Sequence, residues 1–269
     1  LDEFFMIRVG SLYDMAVMGD DQVDSRTGLL PSQQLEAIYR RAVLLMEQRD
    51  QVYAQLQTQL QAYGVCEVSP GQLAGKDKDF LKTYFKTQLL PILSPQIIDG
   101  HHPFPHLANK VLHIGALLQN KGKVVFGVIP VPTSLPETLF LPGSEVRYVR
   151  TEDLILSHAG RIFKPYAITE KVIFCITRNA DIAPAEEGFE EDFRTQMKKL
   201  LRQRTKLAPV RLELSCPISN HFIQYFCEKL QLGKKQLYAT SSPMQMHDVF
   251  SLQDRLPPAL RQELTYPPF

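Results

Sequence analysis

LLPILSPQIIDGHHPFPHLANKVLHIGALL, residues 89–118, is the stretch that decides the fold, because the periodicity of the chain changes inside it. Before Pro91, apolar residues recur at three- and four-residue spacing. From Val111 onward they run in the pattern of strands. Between the two lie Pro91, Pro95, Pro103 and Pro105, which remove backbone donors and bias their predecessors away from helix. A chain of 269 residues with one such break reads as two units. The expected division is a helical unit over 1–91 and an α+β unit over 92–269.

Working toward the N-terminus, the helical unit contains three amphipathic segments. LDEFFMIRVGSLYDMAVMGD places Leu1, Phe4, Phe5, Arg8, Val9 and Leu12 at helical spacing, with no capping residue ahead of Leu1. A Gly/Asp-rich break follows (GDDQVDSRTG). Pro31 suits a first helical turn, and no Gly or Pro interrupts the chain from Ser32 to Tyr63. Leu35, Ile38, Ala42, Leu45, Val52, Leu56, Leu60 and Tyr63 form one stripe on this helix. Arg49 interrupts the stripe, and Gly64 stands in the C′ position. At about 1.5 Å per residue such a helix spans roughly 45 Å and needs partners. The opening segment is one expected partner. The other is DKDFLKTYFKTQLL, where Phe80, Leu81, Tyr84, Phe85 and Leu89 share a face. The three together predict an up-down-up bundle.

Working toward the C-terminus, VLHIGALLQN, a KGK turn and KVVFGVIPVP predict a hairpin. The second strand is apolar on both faces. EVRYVR predicts a third strand, leading into a helix TEDLILSHAG with Thr151 as its N-cap. ITEKVIFCITRN and APVRLELS predict strands, and KQLYAT a short one. ISNHFIQYFCEKLQLG predicts a helix closed by Gly233, and PPALRQELTYPPF an irregular tail. Strands mixed with helices after an early hairpin point to α+β with a mixed sheet. A further helix is expected from Glu186. Its acidic start (Glu186, Glu187, Glu190, Glu191, Asp192) and basic end (Arg194, Lys198, Lys199, Arg202, Arg204, Lys206) match the polarity of the helix dipole. That polarity reads as a solvated helix before it reads as a polyanion contact.

Composition excludes several classes. A formal net charge of +1 argues against a general nucleic-acid or anionic-membrane binder. No window approaches the roughly 18 apolar residues of a spanning helix. Cys66, Cys175, Cys216 and Cys227 form no CxxC pair and are too few to staple a chain of 269 residues. Free thiols in a reducing cytoplasm are expected, with Cys175 a small core residue.

Candidate chemistry is sparse. His102 and His106 have a zinc-like spacing beside His101, but two prolines keep them off a helix and no glutamate follows as a base. No metal site is therefore assigned. His113, His158, His221 and His247 are isolated in sequence from any nucleophile–base pattern. Neither a GxxxxGK[ST] loop nor a GxGxxG loop occurs. No catalytic residue is assigned.

The strings LDEFFMIRVG (1–10), LLPILSPQIIDGHHPFPHLANKVLHIGALL (89–118), ITRNADI (176–182) and TYPPF (265–269), in that order and with a long capped helix between the first two, resemble polyphosphate kinase over essentially the whole chain. The resemblance implies a helical, spectrin-like first domain and an α+β head domain associated with dimer formation. It implies an active site in two further domains, similar to phospholipase D and beginning after Phe269. There a histidine becomes phosphorylated and arginines hold phosphate. It also implies an asparagine that contacts ATP immediately before the LDEFF string. That position precedes Leu1, so the resemblance places no ATP-binding residue here. Mg and ATP are implied for the complete enzyme, with ATP and inorganic polyphosphate as partners through the further domains and a homodimer through the head. The expected reading is the front half of a polyphosphate kinase, inactive alone. The alternative is a naturally truncated, non-enzymatic binding or assembly protein.

Overall fold

The structure, a computed structural model, describes residues 1–19, 22–99, 101–120, 122–180 and 208–266. The helix expected from Glu186 lies outside the described residues. A helical N-terminal region is followed by an α+β region with a mixed sheet. Helix α1 covers residues 2–17, with a π-helical turn over Phe5–Val9 between α-helical Asp2–Phe4 and Gly10–Val17. Helix α2 runs Pro31–Ala62. Gln33 Oε1 accepts from the Leu30 N–H at 2.9 Å and satisfies one donor at its start. Gly64, at φ 75°, ends it in the left-handed conformation that glycine adopts without strain.

The main sheet has six strands in the order β2-β4-β3-β7-β8-β9. These are β2 (Gln96–Ile98), β3 (Leu112–Asn120), β4 (Lys123–Pro130), β7 (Ala167–Arg178), β8 (Pro209–Leu214) and β9 (Leu237–Ala239). All its pairs are antiparallel except β8 with β9. A small second sheet holds β1 (Val65–Glu67), β6 (Val146–Arg150) and β5 (Thr138–Phe140) in the order β1-β6-β5.

Both faces of the main sheet are covered. On one face Leu117, Phe126, Val172, Phe174, Leu212 and Leu214 pack against Phe222, Phe226 and Leu230 of the helix at Asn220–Leu230. On the other, Ile114, Ala116, Ile129, Ile173 and Cys175 pack against Leu81, Phe85 and Leu89. Those three come from helix α3, Gly75–Tyr84, and its π-helical continuation Phe85–Leu89. Leu154 and Ile155 of helix α4, Thr151–Ser157, join them. The expected three-helix bundle is thereby corrected: the third helix joins the sheet, and α1 and α2 are left as a pair. The apolar face of α3 is consistent with either partner, and a sheet apolar on both faces offers it the larger one.

Other expectations are corrected in detail. The proline-rich stretch after Pro91 supplies edge strand β2 as well as a connection. Thr151 does not cap α4; its hydroxyl donates to the Pro136 carbonyl at 2.5 Å. The helix at Asn220–Leu230 (α6, after the short α5 at Ala159–Ile162) is closed by Gln231 in the left-handed conformation, φ 56°, and not by Gly233. Ser219 caps its start, accepting from Phe222 N–H at 3.2 Å. The expected irregular tail is helical over Pro258–Leu264 (α8), and a helix the sequence reading did not expect, Asp248–Arg255 (α7), precedes it. Together they lay Leu252, Leu256 and Leu260 on Val65 and Tyr148 of the small sheet.

The π turn in α1 has a local cause. Widening the helix frees the Met6 carbonyl, which accepts from the Ala180 N–H at 2.9 Å. Beside it Asn179 donates through Nδ2 to Asp14 Oδ2 at 2.6 Å, and its side chain fills the space over Gly10. A Cβ on Gly10 would lie 2.2 Å from Asn179 Oδ1. Alanine at a helical glycine ordinarily stabilises by up to about 1 kcal/mol. Here the clash reverses the sign, because Asn179 is held by Asp14. Gly10→Ala is expected to destabilise by about 1–3 kcal/mol. Adding Asn179→Ala should return part of that loss in a urea-denaturation double-mutant cycle. Simple additivity of the two would contradict the close contact.

Candidate functional site

The main sheet's polar residues concentrate where α1 and α2 meet it. On β8, VRLEL alternates so that Leu212 and Leu214 face α6 while Arg211 and Glu213 face the other way. Both are buried, Arg211 at 0% and Glu213 at 1% exposure. A guanidinium held there needs neutralising groups on every side. Glu213 Oε2 is 3.0 Å from Arg211 Nη2, and Thr177 Oγ1 accepts from Nη2 at 2.8 Å and from Nε at 3.1 Å. The Phe5 ring lies 4.7 Å from the guanidinium carbon, a cation–π contact. Asp2, from the first turn of α1, accepts a further hydrogen bond from Nη2, while Nη1 is buried with no hydrogen-bond partner among the described residues.

Lys110 reaches the same cluster, its Nζ 2.8 Å from Asp2 and 3.8 Å from Glu213. Its backbone is left-handed, φ 60°, a conformation that costs a non-glycine residue of order 1 kcal/mol. Burial would raise the Asp2 carboxyl, but hydrogen bonds and charge from Lys110 and Arg211 outweigh it and hold the group at about 2. This part of the attachment is present above the usual carboxylate range and is lost as pH falls toward 2.

Helix α2 joins from the other side. Its fully buried apolar residues, Leu35, Ala42 and Met46, lie in its first half, and polar contacts carry the second. Arg49, which interrupts the apolar stripe in sequence, donates to Thr240 Oγ1 at 2.7 Å and to Glu213 Oε1 at 3.4 Å. Asp50 accepts from Ser241 N at 2.7 Å and from the Thr240 and Ser242 hydroxyls at 2.6 Å each. Burial opposes this carboxylate, and those hydrogen bonds hold it at about 2.

A second polar node lies at Arg150, the last residue of β6. It donates to Glu67 at 3.2 Å, to Asp248 at 3.0 Å and to the Tyr53 hydroxyl at 3.2 Å. One side chain thus joins β1, α2 and α7. Around it Glu152 and Asp153 are pushed up, to about 7 and about 6, by burial first. Their folded pKa values exceed the unfolded ones, so the favourable contribution is full below pH 4 and fades as pH rises through 6–7.

The histidines singled out in sequence do not converge. His101 and His102 sit in the loop after β2, with His102 Nδ1 2.8 Å from Asp99. His113 is buried; it hydrogen-bonds the Val111 carbonyl at 2.8 Å and stacks on Phe174, and burial lowers its pKa to about 4. His158 is adjacent to a nucleophile, Ser157 Oγ at 2.9 Å. Both groups also point at the Leu154 carbonyl, Ser157 Oγ at 2.7 Å and His158 Nδ1 at 3.0 Å. An Nδ1 that donates to that carbonyl cannot take a proton from the hydroxyl, so the pair closes the turn of α4 and activates nothing. His247 lies 3.6 Å from Glu137, and His221 is exposed at the start of α6. Cys175 is buried, with its thiol pushed up to about 11 by burial. Among the described residues no group of three His, Cys, Asp or Glu side chains is placed to hold a metal. No helix there is long and apolar enough to cross a membrane.

What does converge is three of the four quoted strings. Asp2, Phe5, Met6 and Gly10 come from LDEFFMIRVG, Lys110 from the end of HHPFPHLANK, and Thr177, Asn179 and Ala180 from ITRNADI. Asn109 belongs here too, its Oδ1 accepting from Arg178 N at 2.9 Å. The site is a buried ionic seam that fastens a helical pair to a mixed sheet. Arg211 and Glu213 were missed in sequence; the available signal was opposite charges two apart on a strand whose alternate residues are leucines.

The comparisons give the particular family. The polyphosphate kinase N-terminal domain matches residues 1–68, and the polyphosphate kinase middle domain matches residues 76–252. A polyphosphate kinase of Bacillus cereus is 32% identical over 277 aligned residues, covering 99% of this chain and 39% of its own length. One of Staphylococcus epidermidis is 32% identical over 268, covering 99% and 36%. A crystal structure of polyphosphate kinase from Porphyromonas gingivalis shares the fold, with TM-score 0.70 at 18% identity over 100% of this chain and 37% of that one. The chain belongs to the polyphosphate kinase family. It spans about two fifths of the length of these relatives.

The seam gives a direct test. Arg211→Met leaves Glu213 buried beside fewer cations and is expected to cost about 3–5 kcal/mol in urea denaturation. Arg211→Met with Glu213→Leu removes both charges and should cost less than the single change. A double variant no more stable than the single one would contradict the account of the seam.

Proposed function

We propose that residues 1–269 serve as the front half of a polyphosphate kinase, which transfers the terminal phosphate of ATP to inorganic polyphosphate with Mg. In this reading the chain supplies scaffold and dimer contacts, and the transfer step draws on residues other than these. The observation that carries it is the seam: residues from three of the strings that mark the family fasten α1 to the sheet. In the same reading the family's ATP-contacting asparagine sits just ahead of Leu1, and the seam fixes the direction in which α1 presents that end.

Two further parts belong to the proposal. The homodimer forms through the α+β region, as one patch meeting its own copy. The protein is cytoplasmic, which the four free thiols favour. The alternative of a non-enzymatic assembly protein shares the scaffold role and differs only in having no transfer to support.

The test is incubation of the purified 269-residue chain with radiolabelled ATP, Mg and a polyphosphate primer, with its mass followed by light scattering. The expected outcome is no label in polyphosphate and a dimeric mass. Dose-dependent incorporation of label would overturn the scaffold assignment, and a monomer at high micromolar concentration would overturn the dimer.

A further inference from the structure

Helices α3 and α7 flank the outer strand of the small sheet, β5, and leave a groove of about 710 Å³ along its open edge. Leu139 turns to the α3 side and joins the core that holds Leu81. Thr138 and Phe140 turn to the α7 side. There Thr138 Oγ1 is 3.3 Å from Ser251 Oγ, and the Phe140 ring lies 4.9 Å from the Arg255 guanidinium carbon. Phe80 and Tyr84 of α3 form one wall of the groove. Phe250 of α7, 68% exposed, belongs to the other.

Only half of the β5 backbone is used. Thr151 N–H donates to the Glu137 carbonyl at 2.9 Å and Leu141 N–H to the Arg147 carbonyl at 2.8 Å, so the odd-numbered residues bond β6. The N–H and C=O groups of Thr138 and Phe140 therefore point into the groove, with no hydrogen-bond partner among the described residues. Thr138 is nevertheless only 5% exposed, although no strand lies beside it. Backbone groups this sheltered are ordinarily paired. Glu137, at the start of the same strand, carries unmet charge. Its Oε2 is buried with no partner among the described residues, and His247 Nδ1 is 3.6 Å from Oε1. The other charges on the groove are engaged: Asp248 with Arg150 at 3.0 Å, Asp254 with Arg261 at 3.2 Å, and Arg255 on the Phe140 ring.

These observations specify an occupant. Unpaired edge groups are met by an extended chain, which returns one N–H and one C=O at every second residue. Aromatic walls on both sides suit apolar side chains pointing alternately to each. The spare oxygen of Glu137 suits a cation at one end. Pro136 and Pro142 bound the strand and limit any addition to little more than the three residues of β5. A second copy of this chain is disfavoured, because its β5 lies at the bottom of the same groove and two recessed edges cannot meet. We propose that the groove binds a short extended segment of a partner protein, apolar at alternate positions and with a lysine or arginine beside Glu137, as an added strand of the small sheet. The proposal stands on the groove alone and not on the family reading.

The probe is a library of random nonapeptides displayed on phage and selected on the intact 269-residue chain, with enriched peptides resynthesised. These are expected to hold a lysine or arginine near one end, apolar residues at alternate positions and no internal proline. They should bind one-to-one by fluorescence polarisation. Methylating the backbone nitrogen that faces β5 should weaken binding about tenfold. Glu137→Gln should weaken it about fivefold, and should leave peptides with glutamine in place of the basic residue unaffected. Phe250→Ser, at an exposed position compatible with folding, should weaken it at unchanged melting temperature. The Thr138 and Phe140 amide signals should shift and exchange more slowly when peptide is added. No enrichment over bare support would overturn the proposal, as would amide shifts centred outside residues 137–141. Binding indifferent to backbone methylation would overturn the strand geometry, and binding indifferent to Glu137→Gln would overturn the role of the cation. Movement of the Thr138 and Phe140 signals on dilution without peptide would assign the edge to a second copy and overturn the choice of occupant.

Discussion

A guanidinium with no solvent contact, Arg211 in the middle of β8, is the constraint on which the arrangement of this protein depends. Desolvating an ion costs several kcal/mol even after relaxation, and only close opposite charge and hydrogen bonds offset it. The sheet provides part of the set in Glu213 and Thr177. The remainder, Asp2 and the face of Phe5, comes from α1. The sheet therefore reaches its buried-charge balance only with the helix in place, and the helix gains its buried apolar contacts, Phe5, Val9 and Leu12, from the same docking. Neither part can be described as stable without the other.

The other features of the junction follow from this pairing. To bring Asp2 to Arg211 while Gly10 passes under Asn179, α1 accommodates a π turn, and the carbonyl so released is taken up by Ala180. Lys110 accepts a left-handed backbone to place its ammonium on Asp2. Helix α2 extends the junction with Arg49 and Asp50 on Glu213 and the 240–242 turn, then reaches the second node through Tyr53. Arg150 repeats the same device on the small sheet. Two buried arginines, each ringed by carboxylates from different elements, give the interface direction as well as strength, because each admits one geometry.

Most of the architecture was legible in the sequence. The long helix, the hairpin, strands β6 to β9 and the mixed α+β character all showed as periodicity, and the strings marking the family were visible as strings. Several things were not legible, for physical reasons. The apolar face of α3 states that it needs a partner but not which one, and the doubly apolar sheet outcompeted α2. Strands of three residues, β1, β2 and β5, are too short to display alternation. The tail helix α8 is bounded by prolines that also suit irregular chain. The seam itself was hidden because burial of charge violates the expectation that polar strand residues face water. Arg49 was noted as a break in a stripe when it is the stripe's polar attachment.

The central claim is that helices and sheet open together because they share one charge balance. Native-state amide hydrogen exchange tests it most directly. Amides in the inner turns of α1, in residues 35–46 of α2 and in β7 and β8 are predicted to share one opening free energy, equal to that of global unfolding. Exchange of α1 and α2 at a clearly lower opening free energy than β7 and β8 would contradict it, since Arg211 would then remain buried without Asp2.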